Sequence, residues 1–216
     1  MTINAVRPFF AKATSDTADD QARQESLAVA EGLKRQKAGL LDELIVRYQH
    51  RLMRYLLYLT GNRDTAEDLF QEVWMRVLVR GGQFNGRARF ETWLFTIARN
   101  LVIDKRRKRT MSSLDELIDG TGDDRSVCFE VAAGDPTPFD RVSNLEDREM
   151  IAAALLELDT LQREVLVLRF HEELSLEEIA KVTSAPLSTV KSRLYRGMTM
   201  VKSKLACATA HIQEAV

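Results

Sequence analysis

Cysteine is nearly absent: Cys128 and Cys207 are the only two in 216 residues. They stand far apart and offer neither metal-ligand spacing nor a disulfide framework, which fits a reducing cytoplasm. Histidine is as scarce, with three residues. There is no nucleophile elbow, no phosphate-binding glycine loop and no zinc spacing, so the chain is expected to be no enzyme and to need no cofactor or metal. No apolar run approaches the ~20 residues of a membrane span. Met1 to Phe10 carries no long apolar core of a signal peptide, so a soluble, cytoplasmic protein is expected. Four prolines and ten glycines sit at boundaries, and strand-like alternation is rare. Net charge is only −1, from 31 basic and 32 acidic residues, so total charge excludes little. What is plentiful is hydrophobic residues, 45% of the chain, enough for one sizeable core or two small ones. They recur at helical spacing, which predicts an all-α protein.

The punctuation predicts two small helical domains, at 39–109 and 146–208, joined by a flexible linker at 110–145. An N-terminal extension spans 1–38, with residues 1 to about 22 expected as a mobile tail, and a short tail spans 209–216. A stripe of Leu41, Ile45, Tyr48, Leu52, Tyr55 and Leu59 marks one face of a long helix, ended by Gly61-Asn62. Asp64 and Glu67 look like a capping box opening the next helix. Its apolar face is Ala66, Leu69, Phe70, Val73, Trp74, Val77 and Leu78, and Gly81-Gly82 stops it. A third helix turns Trp93, Leu94, Ile97, Ala98 and Leu101 inward and ends in the basic run Lys105 to Arg109. Both tryptophans fall in apolar stripes and read as core. The linker is acidic, interrupted by Pro136 and Pro138, with a short helix expected near Leu114 to Ile118.

The second domain holds a helix-turn-helix pattern. Ser175-Leu176-Glu177-Glu178 is a capping box, and Thr183-Ser184-Ala185-Pro186 turns the chain. The following helix buries Leu187, Val190 and Leu194. Its opposite side carries Ser188, Thr189, Ser192, Arg196 and Thr199, flanked by Lys191 and Arg193. These are residue types that read major-groove edges and neutralise phosphates.

The first domain pairs two unlike surfaces. The helix from Asp64 to Val79 shows an outer face of Asp68, Gln71 and Glu72. After it come a loop with an aromatic, Gln83 to Arg87, and a helix dense in Arg and Lys. A basic helix beside such a loop suits DNA strands that are opening.

At these residues the chain resembles the sigma-70 family. Ala66-Glu67-Asp68-Leu69-Phe70-Gln71-Glu72-Val73-Trp74 is similar to conserved region 2.2. Phe90-Glu91-Thr92-Trp93-Leu94-Phe95-Thr96-Ile97-Ala98-Arg99-Asn100 is similar to regions 2.3 and 2.4, and Leu174 to Gly197 to region 4.2. The lack of regions 1.1 and 3 matches the extracytoplasmic-function (ECF) group. The chain departs from many relatives at Ser188, where they carry Gly.

The resemblance implies core RNA polymerase as partner, through the β′ clamp helices and the β flap, with Asp68, Gln71, Glu72 and Met75 at the docking surface. It implies promoter DNA as the second partner. The melted −10 element would be read by Phe84, Asn85, Gly86, Arg87, Thr96, Asn100 and Arg106, with Phe84 as a stacking wall for a flipped base. The −35 duplex would be read by Ser188, Thr189, Lys191, Ser192, Arg193 and Arg196. An anti-sigma factor is a common partner in the group. The acids Asp115, Glu116, Asp119, Asp123 and Asp124 suggest a linker that threads a basic channel of the polymerase. The competing reading is an autonomous helix-turn-helix regulator, which leaves the acidic helix beside the basic one unexplained.

Overall fold

The computed structural model describes residues 16–115 and 145–214, with side chains from 21–108 and 150–206. Every element among the described residues is helical, as the apolar spacing predicts. Most of the acidic linker, and with it the proposed threading, lies outside the described residues.

Helix α1, Asp16–Lys34, overturns the expectation of a mobile tail as far as residue 22. Its inward face mixes small buried residues, Ser26, Ala30 and Gly32, with the half-buried Val29 and Leu33, so its apolar stripe is short and weak. Helix α2, Leu40–Thr60, buries Leu44, Tyr48, Leu52, Tyr55, Leu56, Tyr58 and Leu59. The expected stripe is rotated slightly, since Leu41 and Ile45 are only half-buried. Gly61 ends α2 in the left-handed region (φ 66) and donates its N–H to Leu57 O.

Helix α3, Arg63–Arg80, is capped by Asn62, whose side chain accepts from Thr65 N–H. The capping box expected at Asp64 does not form: a single cap lies two residues earlier, and Glu67 pairs with Arg63 instead, at 2.9 Å. Asn62 is extended (φ −141, ψ 129), as a cap must be, whereas Asp64 already lies inside the helix. Helix α4, Phe90–Asp115, carries the basic run and continues to the edge of the described segment.

The second bundle comprises α5, Leu145–Leu156; α6, Thr160–Leu166, widening into a π turn at Val167–His171; α7, Leu176–Thr183; and α8, Leu187–Glu214. The capping box at Ser175 and Glu178 is formed in both directions. Ser184 turns the chain in the left-handed region (φ 50) between α7 and α8. At Gly197 a Cβ would stand 2.9 Å from the Leu166 side chain, so α8 crosses α6 closely there.

The two bundles share one apolar cluster, from Tyr55 and Phe95 on one side to Leu168, Leu174 and Ile179 on the other. Arg163 fastens them further. Its guanidinium donates to the carbonyls of Leu155 (2.9 Å) and Leu158 (2.9 Å) at the end of α5, and to Tyr58 (2.8 Å) of α2.

Candidate nucleic-acid and polymerase interface

In the helix-turn-helix, α8 projects Ser188, Ser192, Arg196 and Thr199 to solvent while Val190 is fully buried. At about 100° per residue these four share one side. Tyr195 falls at the edge of that side, beside Ser188 and Thr199, and is 77% exposed, although no sequence signal singled it out. Lys191 is exposed at the margin and Thr189 is half-buried. Arg193 departs from its expected place. It is half-buried, on the side turned toward Glu164, whose carboxylate feels its charge.

On α3, Asp68, Gln71, Glu72 and Met75 lie on one exposed face. Asp68 receives Lys105 at 3.1 Å, and Glu72 receives Arg76 at 2.9 Å. The face is amphipathic rather than purely acidic. Val79 (75% exposed) extends it by a turn, and Leu78 (56% exposed) flanks it, although Leu78 was expected inside. With Met75 (58% exposed), three large apolar side chains stand in water beside these carboxylates. The signal lay in the sequence as two apolar residues, 78 and 79, at the end of a stripe that had room for only one.

The loop between α3 and α4 corrects one expectation directly. Phe84 is only 5% exposed. Its ring packs against Phe90 (centroids 5.6 Å) and Trp93 (5.1 Å), so it offers no open face for stacking. Rings desolvate one another more effectively than water-exposed loop positions allow, and the glycines around Phe84 let the backbone fold it inward. Trp93, expected as core, is only half-buried. It borders an open cleft shared by Gln83, Phe84, Asn85, Ala88, Thr92, Thr96 and, from the second bundle, Lys181. Gly86 takes φ +68, and Asn85 Oδ1 accepts the Arg87 N–H at 3.0 Å, which tightens the turn. Asn100 is exposed one turn beyond Thr96 on the same side of α4. Arg106 stands apart, its guanidinium donating to the Leu59 carbonyl at the end of α2.

Next to this cleft the second bundle presses three carboxylates onto the first. Glu164 accepts from Arg99 Nε (2.8 Å) and Tyr55 Oη (3.1 Å). Glu172 accepts from Arg51 Nε (2.7 Å) and Arg54 Nη2 (3.2 Å). Glu178 accepts from Thr92 Oγ1 (3.2 Å) and lies 3.8 Å from Arg89. Burial raises the Glu164 carboxyl above its usual range, against the pull of Arg99 and the Tyr55 hydrogen bond. The Tyr55 hydroxyl is pushed well up, first by burial and then by that same carboxylate. His171, at the end of the π turn, stacks on Tyr58 of α2 at 5.5 Å. Burial, with Arg54 nearby, lowers its imidazole to about 4.

No group of three or more candidate metal ligands occurs among the described residues, and no described helix is long and apolar enough to cross a membrane.

Comparison with known proteins gives these surfaces a context. Residues 44–111 match the family model for Sigma-70 region 2, and residues 148–201 match that for Sigma-70, region 4. The chain is 32% identical over 183 residues to the ECF RNA polymerase sigma factor SigW of Bacillus subtilis, covering 83% of this chain and 97% of that protein. It is 31% identical over 180 residues to the ECF RNA polymerase sigma factor SigL of Mycobacterium tuberculosis, covering 83% and 96%. Among solved structures it resembles the sigma factor RpoE in complex with the anti-sigma factor NepR from Bartonella quintana. There the TM-score is 0.61 and identity 25%, over 78% of this chain and 98% of that one. It shares its fold with CnrH in complex with the cytosolic domain of CnrY, at a TM-score of 0.58 and 20% identity, over 84% and 97% of the two chains.

Proposed function

The chain belongs to the sigma-70 family, in its ECF group, and from that premise we propose how its surfaces divide the work of promoter-specific initiation by RNA polymerase. The exposed face of α3, with Asp68, Gln71, Glu72 and Met75, docks on the β′ clamp helices. Val79 extends the contact with apolar area. The outward side of α8, with Ser188, Ser192 and Arg196, reads the −35 duplex in the major groove, and Lys191 holds phosphate. Thr189 borders that side, and Arg193 joins it only after leaving Glu164.

The cleft between the Gln83–Ala88 loop and α4 receives an unstacked base of the −10 element. The observation that carries this reading is the cleft itself: a half-buried Trp93 wall, with the Asn85 amide and the Thr96 hydroxyl at its edges. An amide pairs with a base edge, and an indole gives its plane something to lie on. Trp93 thus takes the stacking role first expected of Phe84, which instead supports the loop from below.

The described arrangement is a closed one. Two elements about two duplex turns apart, or roughly 70 Å, cannot both be read while α7 leans on α4. The bundles therefore separate when polymerase and promoter are engaged. An anti-sigma factor is the inhibitor this group leads one to expect.

The test is reconstitution. Purified chain is added to core RNA polymerase and initiation is scored on promoters selected by sequencing of its transcripts. Trp93→Ala and Asn85→Ala should retain core binding and lose open-complex formation. An enzyme complex that melts promoters normally with both changes would remove the cleft as the −10 reader. Specific duplex binding without polymerase, at full affinity, would favour the autonomous regulator instead.

A further inference from the structure

Helix α1 lies outside both matched segments, which begin at residue 44 and residue 148. Its position relative to the Gly81–Arg87 loop is nevertheless specific. At Gly81, where the loop begins, a Cβ would stand 3.2 Å from Leu33 Cδ2 and 3.3 Å from Leu33 Cβ. At Gly86, where the loop turns back, a Cβ would stand 2.9 Å from Leu27 Cδ2 and 3.0 Å from both Leu27 Cα and the Ser26 carbonyl oxygen. Backbone therefore meets backbone at Gly86, with no room for a side chain.

Leu27 and Leu33 are six residues apart on α1, roughly 9 Å along the axis at about 1.5 Å per residue. The loop is laid antiparallel along nearly two turns of this helix and held at both ends. From below, Phe84 roots it in the Phe90 and Trp93 rings. Held on these sides, the loop leaves Gln83, Asn85 and Arg87 exposed. The small inner residues of α1 allow this close approach: Ser26 is 5% exposed and Ala30 7%. Ser26 Oγ is satisfied within its own helix, on the Ala22 carbonyl at 2.9 Å. Helix α1 is itself fixed to α2, where the Leu40 side chain closes over Gly32 and Arg47 pairs with Glu25 at 3.5 Å.

We propose that α1 is the seat of the −10 loop: through Leu27 and Ser26 at Gly86, and Leu33 at Gly81, it sets the height at which Asn85 meets the flipped base, and so acts as a specificity-determining positioning element. It touches no DNA. The proposal rests on the reading of the loop as part of the −10 reader. A helix that merely completed the bundle would alter stability and every binding step together. A seat alters base preference while docking persists.

The experiment uses the full chain assembled with core polymerase. The probe is a single-stranded DNA pool randomised at six consecutive positions, selected by the holoenzyme and sequenced. Leu27→Ala with Leu33→Ala loosens the seat, and Gly86→Ala lifts the loop from it. Core affinity and melting temperature are measured alongside, and Asn85→Ala reports on the loop itself. Both seat changes should lower enrichment of the preferred base at the Asn85-dependent position by about tenfold, the loss of one good base contact. Core affinity should stay within about twofold of the unaltered chain, well below the effect of losing one good contact. If Asn85→Ala leaves the enrichment profile unchanged, the loop reading fails and the seat falls with it. If Asn85→Ala flattens the profile while both seat variants keep it, the seat alone is overturned. A uniform fall in core binding and in enrichment at all positions also overturns it, since that is the behaviour of a scaffold. Leu27, already 49% exposed, can be tested singly where the double change unfolds the bundle.

Discussion

At the scale of single residues, His171 shows how the contact between bundles responds to pH. Its ring lies on Tyr58, and the charge facing it is Arg54, which repels a protonated imidazole and is itself held by Glu172. The folded value of about 4 lies below the ordinary 6.5. The unfolded or opened state therefore takes up the proton first. The stabilisation is complete above pH 6.5 and is lost as pH falls toward 4. The raised value of Glu164 works the opposite way, losing stabilisation as pH rises through its folded pKa. His171→Phe keeps a ring on Tyr58 and removes the titration. Melting temperatures at pH 7.5 and 5 should fall more in the unaltered chain than in this variant. An equal fall in both would mean that the ring contact is not what senses acid.

At the scale of elements, the ends of α3 and α8 carry separable tasks. Val79→Asp puts a charge on an apolar side chain that is 75% exposed. Core binding should weaken by at least about tenfold, 1.4 kcal/mol, with helical content unchanged by circular dichroism. Retained affinity would confine docking to Asp68, Gln71, Glu72 and Met75. On α8, Arg196→Ala should cost roughly 1–3 kcal/mol and relax preference at one base pair. Lys191→Ala should weaken all sequences alike and flatten the salt dependence. Two variants with the same uniform loss would show that neither residue reads a base.

The helices α2, α3, α4, α7 and α8 were legible because their apolar stripes are regular, and glycine, proline or a capping box marks several of their ends. Helix α1 was not, because its inner period of Ser26, Val29, Ala30 and Leu33 is short and half of it is small residues. The inward turn of Phe84 was not legible either, since its partners Phe90 and Trp93 lie beyond a loop whose path glycine leaves open. Val79 and Tyr195 escaped because periodicity finds what is buried, while a binding surface is often an apolar residue out of phase.

At the scale of the molecule, what the sequence pattern does not show is the clasp of three carboxylates: nothing in it singles out Glu164 or Glu172, and Glu178 reads there only as a capping-box residue. Folded, the side chains of Glu164 and Glu172 are 3% and 0% exposed, and their charge-bearing partners belong to the other bundle. A buried ion pair is costly to desolvate, so its net contribution is small even when its geometry is good. Removing one partner is different, because the other charge is then stranded. The clasp is thus specific in arrangement and modest in strength, the combination that suits a closed form which must open. Glu172→Ala takes the carboxylate from Arg54 and leaves Arg51 only Glu91, at 3.9 Å. By the usual cost of a broken buried pair, about 3 kcal/mol or more, the open–closed balance should move by over ~100-fold. Small-angle scattering of the unbound chain should show a larger radius of gyration for Glu172→Ala, with helical content retained. Arg51→Ala with Arg54→Ala strands the carboxylate instead and should give the same expansion. Restoring the apolar character of all three, as Glu172→Met with Arg51→Met and Arg54→Met, should close the chain again, since shape is kept and no charge is left unpaired. A chain that stays equally compact with Glu172→Ala would show that the shared apolar cluster, and not the clasp, holds the two readers together.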